Sequence, residues 1–559
     1  MKSFRACVYL ALLASLSCGA WAGTVAGNVK GPDGAPFRGA FVHAQKKGSN
    51  ITVNVLSDKL GGFRIENLSS GTYRVWVTAA GFKADAGKEL KVADGSPVSL
   101  DLPLQKGTLQ WTDLSISQGR ILLPERNPGK HLFFLDCQTC HGYMFMVRTL
   151  GLHSDAGAWQ AAVNFMRDIP NGVGDRRATD EEAGQIAAYV SETFGANSKL
   201  PSPAQLPAYQ KVKKTFSDEA MKIVYVEYEL PPRRFAWNAN SDKDGNIWMP
   251  FAKTGNGIGK LDPKTGEVKT WELPPNKMHM LDSHSAVPAP DGMIWYIEVK
   301  GCKLGKLDPG TGKFTEYLPP DCKEGEIGSG GVTVRVDRLG YVWSGQSALY
   351  RFDPKTEKFK IFPEARRPYG VELDKNDNVW FASWNEGIVG KVNINTLRLS
   401  VYTPPTTTRL AALNRDFPAS EGKYGYFLPG SHPKNAGTKR IQTDANGVAF
   451  FGEWYGGEDG FQSQIGSVDP ATGTIKEYPL PAQFGTPYGV GVDRYGFVWY
   501  NSSDSDVLGR LDPKTGKVIL YPFPHSDNGV REILPDAQGR MWYTSGYNDR
   551  AGYFLPPPD

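Results

Sequence analysis

The stretch CQTCH, residues 137–141, carries the residue types with the most specific chemistry in the chain. Two cysteines separated by two residues lie about one helical turn apart, so both thiols can add to the vinyl groups of one haem. The histidine that follows directs its imidazole at the iron. The spacing predicts one covalent haem c, with Cys137 and Cys140 in thioether bonds and His141 as the proximal iron ligand. A thioredoxin-like dithiol would need a βαβ context, and a zinc site would need a second Cys/His pair nearby.

Three options remain for the second axial ligand. Met166 follows His141 by 25 residues and precedes the last helical stretch, and this spacing favours it as the distal ligand. The surrounding W-x-x-x-V-x-x-M is also typical of a helix whose methionine packs in a core. His131 and His153 would instead make a bis-histidine site, and an open position is the third option. The choice matters because a thioether raises the reduction potential relative to a second imidazole.

The motif lies in a helical island. We predict helices in GKHLFFLDCQTCHGYMFMVRTL and DAGAWQAAVNFMRDI, and in TDEEAGQIAAYVSETFG, which has a Thr/Asp start, an acidic first turn and a glycine stop. Residues 112–197 therefore form a domain of their own. The G-K-x-x-F entry to CxxCH and the ending IAAYVSETFG resemble a cytochrome c domain. The resemblance implies single-electron transfer with a redox partner protein or a small-molecule electron donor or acceptor.

The N-terminus, MKSFRACVYLALLASLSCGAWAG, predicts export. It has basic residues at positions 2 and 5, a short apolar run and a small-residue A-W-A pattern ending at Ala22, which is typical of a signal peptide over residues 1–22. A membrane anchor is the alternative, but the run is too short to span comfortably. No later run is apolar enough to cross a bilayer, so we expect an exported protein, most simply periplasmic, that does not span a membrane.

Charge and cysteine content add two expectations. The formal net charge is only +4, and Lys and Arg are interspersed with nearly as many Asp and Glu, so the chain lacks the basic footprint of a nucleic-acid partner. Outside the signal peptide and CQTCH, only Cys302 and Cys322 remain. In an oxidising compartment they can form a local disulfide, and two free thiols are the alternative.

Residues 23–106 alternate apolar and polar residues in short runs separated by Gly, Pro and Asp, which predicts a small antiparallel β-sandwich. The phrases G-x-V-x-x-P-D-G-A-P-x-x-G-A-x-V and G-G-F-R-I-E-N-L-x-x-G-T-Y-R-V resemble the carboxypeptidase regulatory-like (transthyretin-like) domain. The resemblance implies a spacer, an adhesion module or at most a sugar-binding module. Residues 198–221 are predicted to be a linker.

Residues 222–559 are built from repeats. An apolar–Asp–x–x–Gly–apolar–Trp phrase recurs together with a GKLDPKTG-like turn, most repeats being 37–49 residues apart. Seven such units predict a seven-bladed β-propeller, with an insertion near 406–439. The last unit lacks an outer strand, and KIVYVEYELPP (222–232) can supply it and close the ring. The predicted fold is therefore multidomain and mainly β: a sandwich, a helical cytochrome c domain and a closed propeller.

The repeats resemble the virginiamycin B lyase (streptogramin lyase) family, whose repeats read P-H-x-I-x-x-x-x-D-G-x-x-W-F-T-E. The second unit reads LDSHSAVPAPDGMIWYIE, and the resemblance implies Mg²⁺ ligands at Asp282 and Glu298 with His284 as the general base or acid of an elimination. Asp282 stands where the family has Glu. The family's second functional histidine corresponds to Trp237 here. His284 and Glu298 are equally explained as repeat residues that satisfy hydrogen bonds of the channel.

The position of His284 recurs in every unit, and the seven residues should ring the channel mouth with an aromatic and basic lining. They are Trp237, His284, Val332, Tyr369, Lys439, Tyr488 and Arg531. Glu453 repeats the position of Glu298 in the fifth unit and could add a carboxylate.

Three functions fit the sequence. The first is an exported c-type cytochrome whose propeller binds a partner or substrate. The second is a Mg²⁺-dependent lyase in the propeller with the haem as an accessory. The third is a recognition module without chemistry of its own. An elimination moves no net electrons, so the presence of a haem site favours the first.

Overall fold

The computed structural model describes residues 23–83, 86–95, 97–126, 128–134, 143, 147, 154–168, 178–252, 255–274, 283–323, 331–384, 386–412, 437–454, 463–481 and 486–557. Three units follow one another along the chain: a β-sandwich, a helical unit and a propeller-like series of four-stranded sheets. The expectation of a multidomain, mainly β chain is confirmed.

The sandwich differs in one respect from the prediction. Strand β1 pairs antiparallel with β4 but parallel with β8, so the sandwich is mixed rather than antiparallel. Alternation of apolar and polar residues fixes the face that a side chain takes, not the direction of the neighbouring strand. The strands are β1 (Gly23–Lys30), β2 (Phe41–Lys46), β3 (Ile51–Leu56), β4 (Gly62–Leu68), β5 (Gly71–Thr78), β6 (Phe82–Lys83), β7 (Lys88–Val92), β8 (Pro97–Pro103) and β9 (Gln105–Lys106).

The helical unit contains α1 (Ile116–Leu122), α2 (Gly129–Leu132), α3 (Ala156–Asp168), α4 (Asp180–Phe194) and α5 (Tyr209–Val212). Helix α4 begins as predicted: Thr179 Oγ1 accepts a hydrogen bond from the Glu182 amide at 3.2 Å, and the Glu182 carboxylate accepts one from the Thr179 amide at 2.8 Å. This reciprocal pair satisfies two amides that the helix leaves open. Residues 200–212, predicted as linker, pack on the helical core through Leu206 and Val212.

The remaining strands form seven four-stranded antiparallel units in chain order. They are β11 (Asn240–Ser241), β12 (Ile247–Phe251), β13 (Gly257–Leu261) and β14 (Val268–Glu272); β15 (Ser283–Pro288), β16 (Ile294–Glu298), β17 (Lys303–Asp308) and β18 (Lys313–Tyr317); β19 (Val334–Val336), β20 (Val342–Gly345), β21 (Ala348–Asp353) and β22 (Lys358–Arg366); β23 (Gly370–Leu373), β24 (Asn378–Ser383), β25 (Ile388–Asn393) and β26 (Leu399–Tyr402); β27 (Thr438–Thr443), β28 (Ala449–Glu453), β29 (Gln464–Val468) and β30 (Ile475–Pro479); β31 (Pro487–Val492), β32 (Val498–Ser502), β33 (Val507–Leu511) and β34 (Val518–Pro522); and β35 (Leu534–Pro535), β36 (Met541–Ser545) and β37 (Arg550–Leu555) with β10 (Val224–Glu229). A short helix, α6 (Pro405–Ala412), follows the fourth unit.

The repeated Asp and Trp of the sequence phrase bond to each other. In the third unit, for example, the Trp343 indole N–H donates to Asp337 at 2.7 Å, and the same bond recurs in the first, fourth, sixth and seventh units. The Asp also accepts amide bonds of its own turn, so one carboxylate fixes both the turn and the buried indole. The second unit has Ala289 in place of this Asp, and the fifth has Phe450 in place of the Trp.

Strand β10 has a partner on each edge. It pairs antiparallel with β37, the position that the sequence predicts for the strand closing the last unit, and on its other edge with β3 of the sandwich. One eight-stranded sheet therefore runs from the seventh unit into the sandwich. Residues of the first and seventh units share one buried cluster that includes Met249 and Trp542, so the series of units packs end to end.

A buried carboxylate marks this junction. Glu227 on β10 accepts hydrogen bonds from Asn54 of the sandwich at 3.1 Å, from the Tyr543 hydroxyl at 3.0 Å and from His525 at 3.1 Å. Burial by itself would raise the pKa of Glu227, but the charge and hydrogen bond of His525, with smaller contributions from Arg550 and Tyr543, outweigh it and lower the pKa to about 2. The Glu227 carboxylate therefore bonds to residues of both β-units.

Candidate functional site

The haem motif itself lies outside the described residues. Cys137, Cys140 and His141 are not described, and of Met166 only its place in helix α3 is given. His153 lies outside the described residues, whereas His131 lies in α2 and is partly buried. The predicted covalent and axial bonds therefore stay predictions.

The described residues around the motif form a buried aromatic core. Tyr143 stacks on Phe194 with ring centroids 6.0 Å apart, and Trp159 approaches Phe194 at 5.8 Å. The Trp159 indole nitrogen is buried and meets no acceptor within the part of the chain that the structure describes. A buried N–H of this kind costs free energy unless an acceptor reaches it, and haem propionates are strong acceptors. The residues present therefore fit a haem held in this unit.

The helical unit docks directly on the sixth and seventh propeller units. The Ser117 amide donates to the Asp504 carbonyl at 2.8 Å, and the Ser117 and Ser505 hydroxyls lie 3.0 Å apart. The Ser526 hydroxyl donates to the Thr112 carbonyl at 2.8 Å. These contacts connect the start of the helical unit to loops that lie at one end of the propeller.

An ion pair at the same surface involves Arg120 of helix α1, which also packs on Phe134. The Arg120 guanidinium lies 3.6 Å from the buried Asp504 carboxylate and stacks over the Phe134 ring at 5.6 Å. Phe134 directly precedes the segment that contains the motif. Asp504 in turn interacts electrostatically with Lys439 and Arg531 of the predicted mouth ring. Burial raises the pKa of Asp504, and the positive charges of Arg120, Lys439 and Arg531 oppose this shift.

The structure brings six of the seven predicted mouth positions into contact. The Trp237 and His284 rings are 5.8 Å apart, and the Arg531 guanidinium lies 4.7 Å from the centroids of both Trp237 and Tyr488. The Tyr369 and Tyr488 hydroxyls are hydrogen-bonded, although these residues belong to the fourth and sixth units. A contact between units that are not neighbours must cross the central channel, so these side chains line its mouth.

Lys439 occupies a cage of aromatic rings. Its Nζ lies 2.9 Å from the ring centroid of Trp454, 3.8 Å from Trp384 and 4.3 Å from Tyr488. Burial, and then the positive charge of Arg531, hold the pKa of Lys439 well below its usual range. We refer to Trp237, His284, Tyr369, Trp384, Lys439, Trp454, Tyr488 and Arg531 as the mouth cluster.

A second layer of charged side chains crosses the channel beneath the mouth cluster. Arg335 pairs with Glu372 at 2.9 Å and reaches Glu532 at 3.7 Å, while Arg440 pairs with Glu532 at 2.7 Å. Gln442 donates to Glu372 at 3.3 Å. We refer to these five residues as the channel network. Its partners come from the third, fourth, fifth and seventh units, so it spans the channel, and its two arginines balance its two glutamates.

The residues implied by the lyase resemblance are divided between described and undescribed parts. His284 on β15 and Glu298 on the neighbouring strand β16 are both buried, while Asp282 lies outside the described residues. Glu298 rests against Gly301, where a Cβ would lie 2.0 Å from its Oε2. Among described residues, no three His, Cys, Asp or Glu side chains are grouped so as to hold a metal ion.

Glu453, the corresponding carboxyl of the fifth unit, is also buried. Burial, with the nearby charge of Glu477, holds its pKa well above the usual range, and Gln464 donates to it at 3.2 Å. The expectation that Glu453 adds a carboxylate to the mouth stays a prediction.

The second unit is braced covalently. Cys302 and Cys322 form a disulfide with their Cα atoms 5.9 Å apart. It links the turn that follows β16 to the exit from β18. In the described part of the chain, no helix is both long and apolar enough to cross a membrane.

The first unit matches a known family model over residues 24–105. The model is that of the carboxypeptidase regulatory-like domain, so this segment is similar to that family. No curated protein matches the chain in sequence.

The search of solved structures found similar folds. A streptogramin B lyase structure gives a TM-score of 0.48 at 20% identity, covering 61% of this chain and 99% of that one. Virginiamycin B lyase from Staphylococcus aureus gives 0.47 at 16% identity, covering 60% and 99%. Kuenenia stuttgartiensis hydrazine synthase gives 0.44 at 11% identity, covering 59% and 97%.

Sequence reasoning missed several of the residues that complete the site. Trp384 and Trp454 occupy the same repeat position, four residues after Trp380 and Phe450, and that recurrence could have revealed the cage. The arginines and glutamates of the channel network had no such signal, because they come from two different repeat positions. The contact of the carboxypeptidase regulatory-like domain with β10 was also unexpected.

Proposed function

We propose that the chain is an exported c-type cytochrome, with a signal peptide over residues 1–22 and a periplasmic location, that exchanges single electrons with a substrate or redox partner at the mouth of a closed seven-bladed propeller. Cys137 and Cys140 hold one haem c covalently, His141 is the proximal ligand and Met166 the distal ligand. When bound, this group supplies reversible one-electron transfer.

The observation that carries the proposal is the setting of CQTCH. The motif follows Phe134 in a helical unit whose buried Trp159 N–H lacks an acceptor among described residues. Covalent attachment needs both thiols, and the adjacent imidazole would bind the iron. Trp159 would then orient the group by donating to it, and Phe134 and Tyr143, which flank the motif in the sequence, belong to the same buried aromatic core.

The docking of the helical unit supports the assignment of the substrate end. Arg120, Ser117 and Thr112 contact the propeller beside Asp504, and Asp504 interacts with Lys439 and Arg531 of the mouth cluster. The docking contacts and the mouth cluster therefore share Asp504 as a common neighbour.

The test is to express the full chain with its N-terminus in a host that matures c-type cytochromes. A pyridine haemochrome spectrum of a bound haem, a mass increase of one haem on the denatured chain and reversible reduction are expected. The Cys137→Ser/Cys140→Ser variant should lose all three. A wild-type chain that folds without covalent haem would overturn the proposal.

A second candidate is the Mg²⁺-dependent lyase, with Asp282 and Glu298 as ligands and His284 as base or acid. The placement of His284 and Glu298 on neighbouring strands favours it, whereas Trp237 in place of a histidine does not. Ring-opening of a streptogramin B that needs Mg²⁺ and disappears in His284→Ala would establish it.

A further inference from the structure

An open groove lies beside the sandwich, where strand β4 faces the segment that leads into β10. It has a volume of about 320 Å³ and is lined by Gly62, Phe63 and Arg64 of β4 on one side, by residues 221–224 on the other and by the end of β3. Apolar side chains make up most of this lining. The groove is therefore an apolar space between two stretches of main chain.

One wall of the groove is an unpaired strand edge. Strand β4 pairs with β1 on one edge, and among the described residues no strand pairs with the other. The Gly62 amide donates to the Asp58 carboxylate and its carbonyl accepts from the Asp58 amide, both at 2.8 Å, so the main chain of Gly62 points away from β1. Since main-chain groups alternate along a strand, those of Arg64 and Glu66 point to the same open edge. An edge of this kind can pair with an added strand.

Exposed apolar surface adjoins the groove. Val224, which lines it, is paired with Leu555 on β37, so the two side chains lie on the same face of the sheet. Leu555 is 45% exposed, and Leu60, in the turn that leads into β4, is 69% exposed. A segment that lies along β4 would cover part of this surface, and the removal of apolar surface from water favours binding.

The shape of the junction decides what can occupy the groove. The eight-stranded sheet continues past β4, from β3 through β10 to β37. A second copy that paired its own β4 here would bring its own large sheet into the space that β10 and β37 fill. A single extended segment needs only the width of one strand, about 5 Å, and carries the main-chain groups that the edge lacks. The geometry therefore favours one extended peptide over a folded sheet.

The charges at the rim of the groove add one requirement. Asp58 accepts hydrogen bonds from the amides of its own turn, and Glu66 pairs with Arg64, so neither acid forms an ion pair with Lys222. Lys222 lines the groove and is exposed. An acidic side chain on the occupant would complement this ammonium group. Exposed ion pairs add little affinity, but they distinguish one partner from another.

We propose that this groove binds one extended segment of a partner protein, which adds a strand to β4, turns alternate apolar side chains towards Val224 and Leu555, and places an acidic side chain beside Lys222. Main-chain hydrogen bonds at Arg64 and Glu66 hold the segment, and the apolar lining selects its side chains. The site lies on the sandwich and the start of β10, so it requires neither the haem nor the mouth cluster.

The experiment is isothermal titration calorimetry of the full-length protein with the acetylated and amidated heptapeptide Thr-Val-Thr-Val-Thr-Val-Asp. When its valines face the apolar lining, its threonine amides point to the edge of β4 and its valine amides point away. Binding of this peptide is expected. N-methylation of the three threonine amides should weaken it at least about tenfold, because hydrogen bonds to β4 are lost, whereas N-methylation of the valine amides should change it little.

Two exposed side chains of the groove can be changed without disturbing a core. Lys222→Glu should weaken the peptide about fivefold or more, and a peptide that ends in Lys instead of Asp should recover the loss. Leu555→Asn should also weaken binding, because it removes apolar surface. The matched controls are Lys213→Glu, an exposed lysine of the preceding segment, and Leu318→Asn, a similarly exposed leucine of the second unit. Neither control should change the affinity.

Three results would overturn the proposal. Equal affinity of the two N-methylated peptides, or no peptide binding to a folded sample, would show that β4 does not accept a strand. Binding of decanoate that is lost in Leu555→Asn, without peptide binding, would assign the groove to an apolar small molecule. Self-association of the wild-type protein in sedimentation velocity that disappears in Lys222→Glu and Leu555→Asn would assign it to a second copy of the chain.

Discussion

The guanidinium of Arg120 on helix α1 lies 3.6 Å from the carboxylate of Asp504, and both side chains are largely buried at the junction of the helical unit and the propeller. A buried carboxylate that loses its cation keeps the cost of desolvation without the compensating attraction. This pair, rather than the hydrogen bonds of the serines alone, should therefore hold the helical unit in a fixed orientation beside the channel mouth.

Arg120→Gln is expected to reduce the free energy that holds the helical unit on the propeller by about 3 kcal/mol. Limited proteolysis in residues 198–221 should accelerate, and the scattering radius of the protein should increase. Arg126→Gln is the matched control, because Arg126 pairs with Glu192 inside the helical unit. Identical proteolysis of the two variants would show that the pair does not hold the units together.

The axial ligand can be tested by spectroscopy. Met166→Leu should convert the oxidised haem from a low-spin to a high-spin form and lower its reduction potential, since the thioether is lost. Met146→Leu should change neither, because Met146 follows His141 too closely in the sequence to reach the opposite face of the haem. Electron paramagnetic resonance of the oxidised wild-type protein is the measurement, and a bis-imidazole spectrum would replace Met166 by His131 or His153.

Stability should fall on acidification because of the sandwich–propeller junction. Burial lowers the pKa of His43 from 6.5 to about 4, so an unfolded chain binds a proton that the folded chain refuses. Its contribution to stability is present above pH 6.5 and lost as the pH falls towards 4. The pKa of Glu227, lowered to about 2 from 4.5, adds a loss that begins near pH 4.5 and continues below it.

Thermal unfolding between pH 7 and pH 2 will check this expectation. The loss attributable to His43 should be on the order of 3 kcal/mol, and His43→Gln should flatten that part of the profile. Glu227→Gln should flatten the acidic part, whereas Glu229→Gln, on the same strand but paired with Arg550 near the surface, should not. A wild-type melting temperature independent of pH in this range would contradict the prediction.

Removal of the disulfide should cost stability locally. Cys302 and Cys322 are separated by 20 residues, and closing a loop of this length stabilises a fold by about 3 kcal/mol. The Cys302→Ser/Cys322→Ser variant should melt at a lower temperature, as should wild-type protein under reducing conditions. Two reactive thiols in denatured, unreduced wild-type protein would show that the bond does not form.

Much of the fold was predictable because its signals are local. The cap between Thr179 and Glu182 needs only residues three apart, and the Asp–Trp bond of each unit needs residues six apart. The repeat also predicted which residues meet at the mouth, since equivalent positions in successive units face the same channel.

The rest of the site depends on distances that the sequence does not encode. Arg335 reaches both Glu372 and Glu532, which come from different units, so no spacing reveals the network. The parallel pairing of β1 with β8 depends on contacts across the whole sandwich, and the pairing of β3 with β10 depends on how the sandwich and the propeller units orient. The buried Trp159 N–H could not be recognised either, because burial is not visible in a lone tryptophan.

The sheet shared by the two β-units has a consequence for how the protein comes apart. A strand that completes a sheet from elsewhere in the chain is a weak point when its other edge is unpaired. Here β10 is paired on both edges, with β37 and with β3, so its removal breaks two ladders of hydrogen bonds together. The sandwich and the seventh unit should therefore unfold as one cooperative block, in one calorimetric transition.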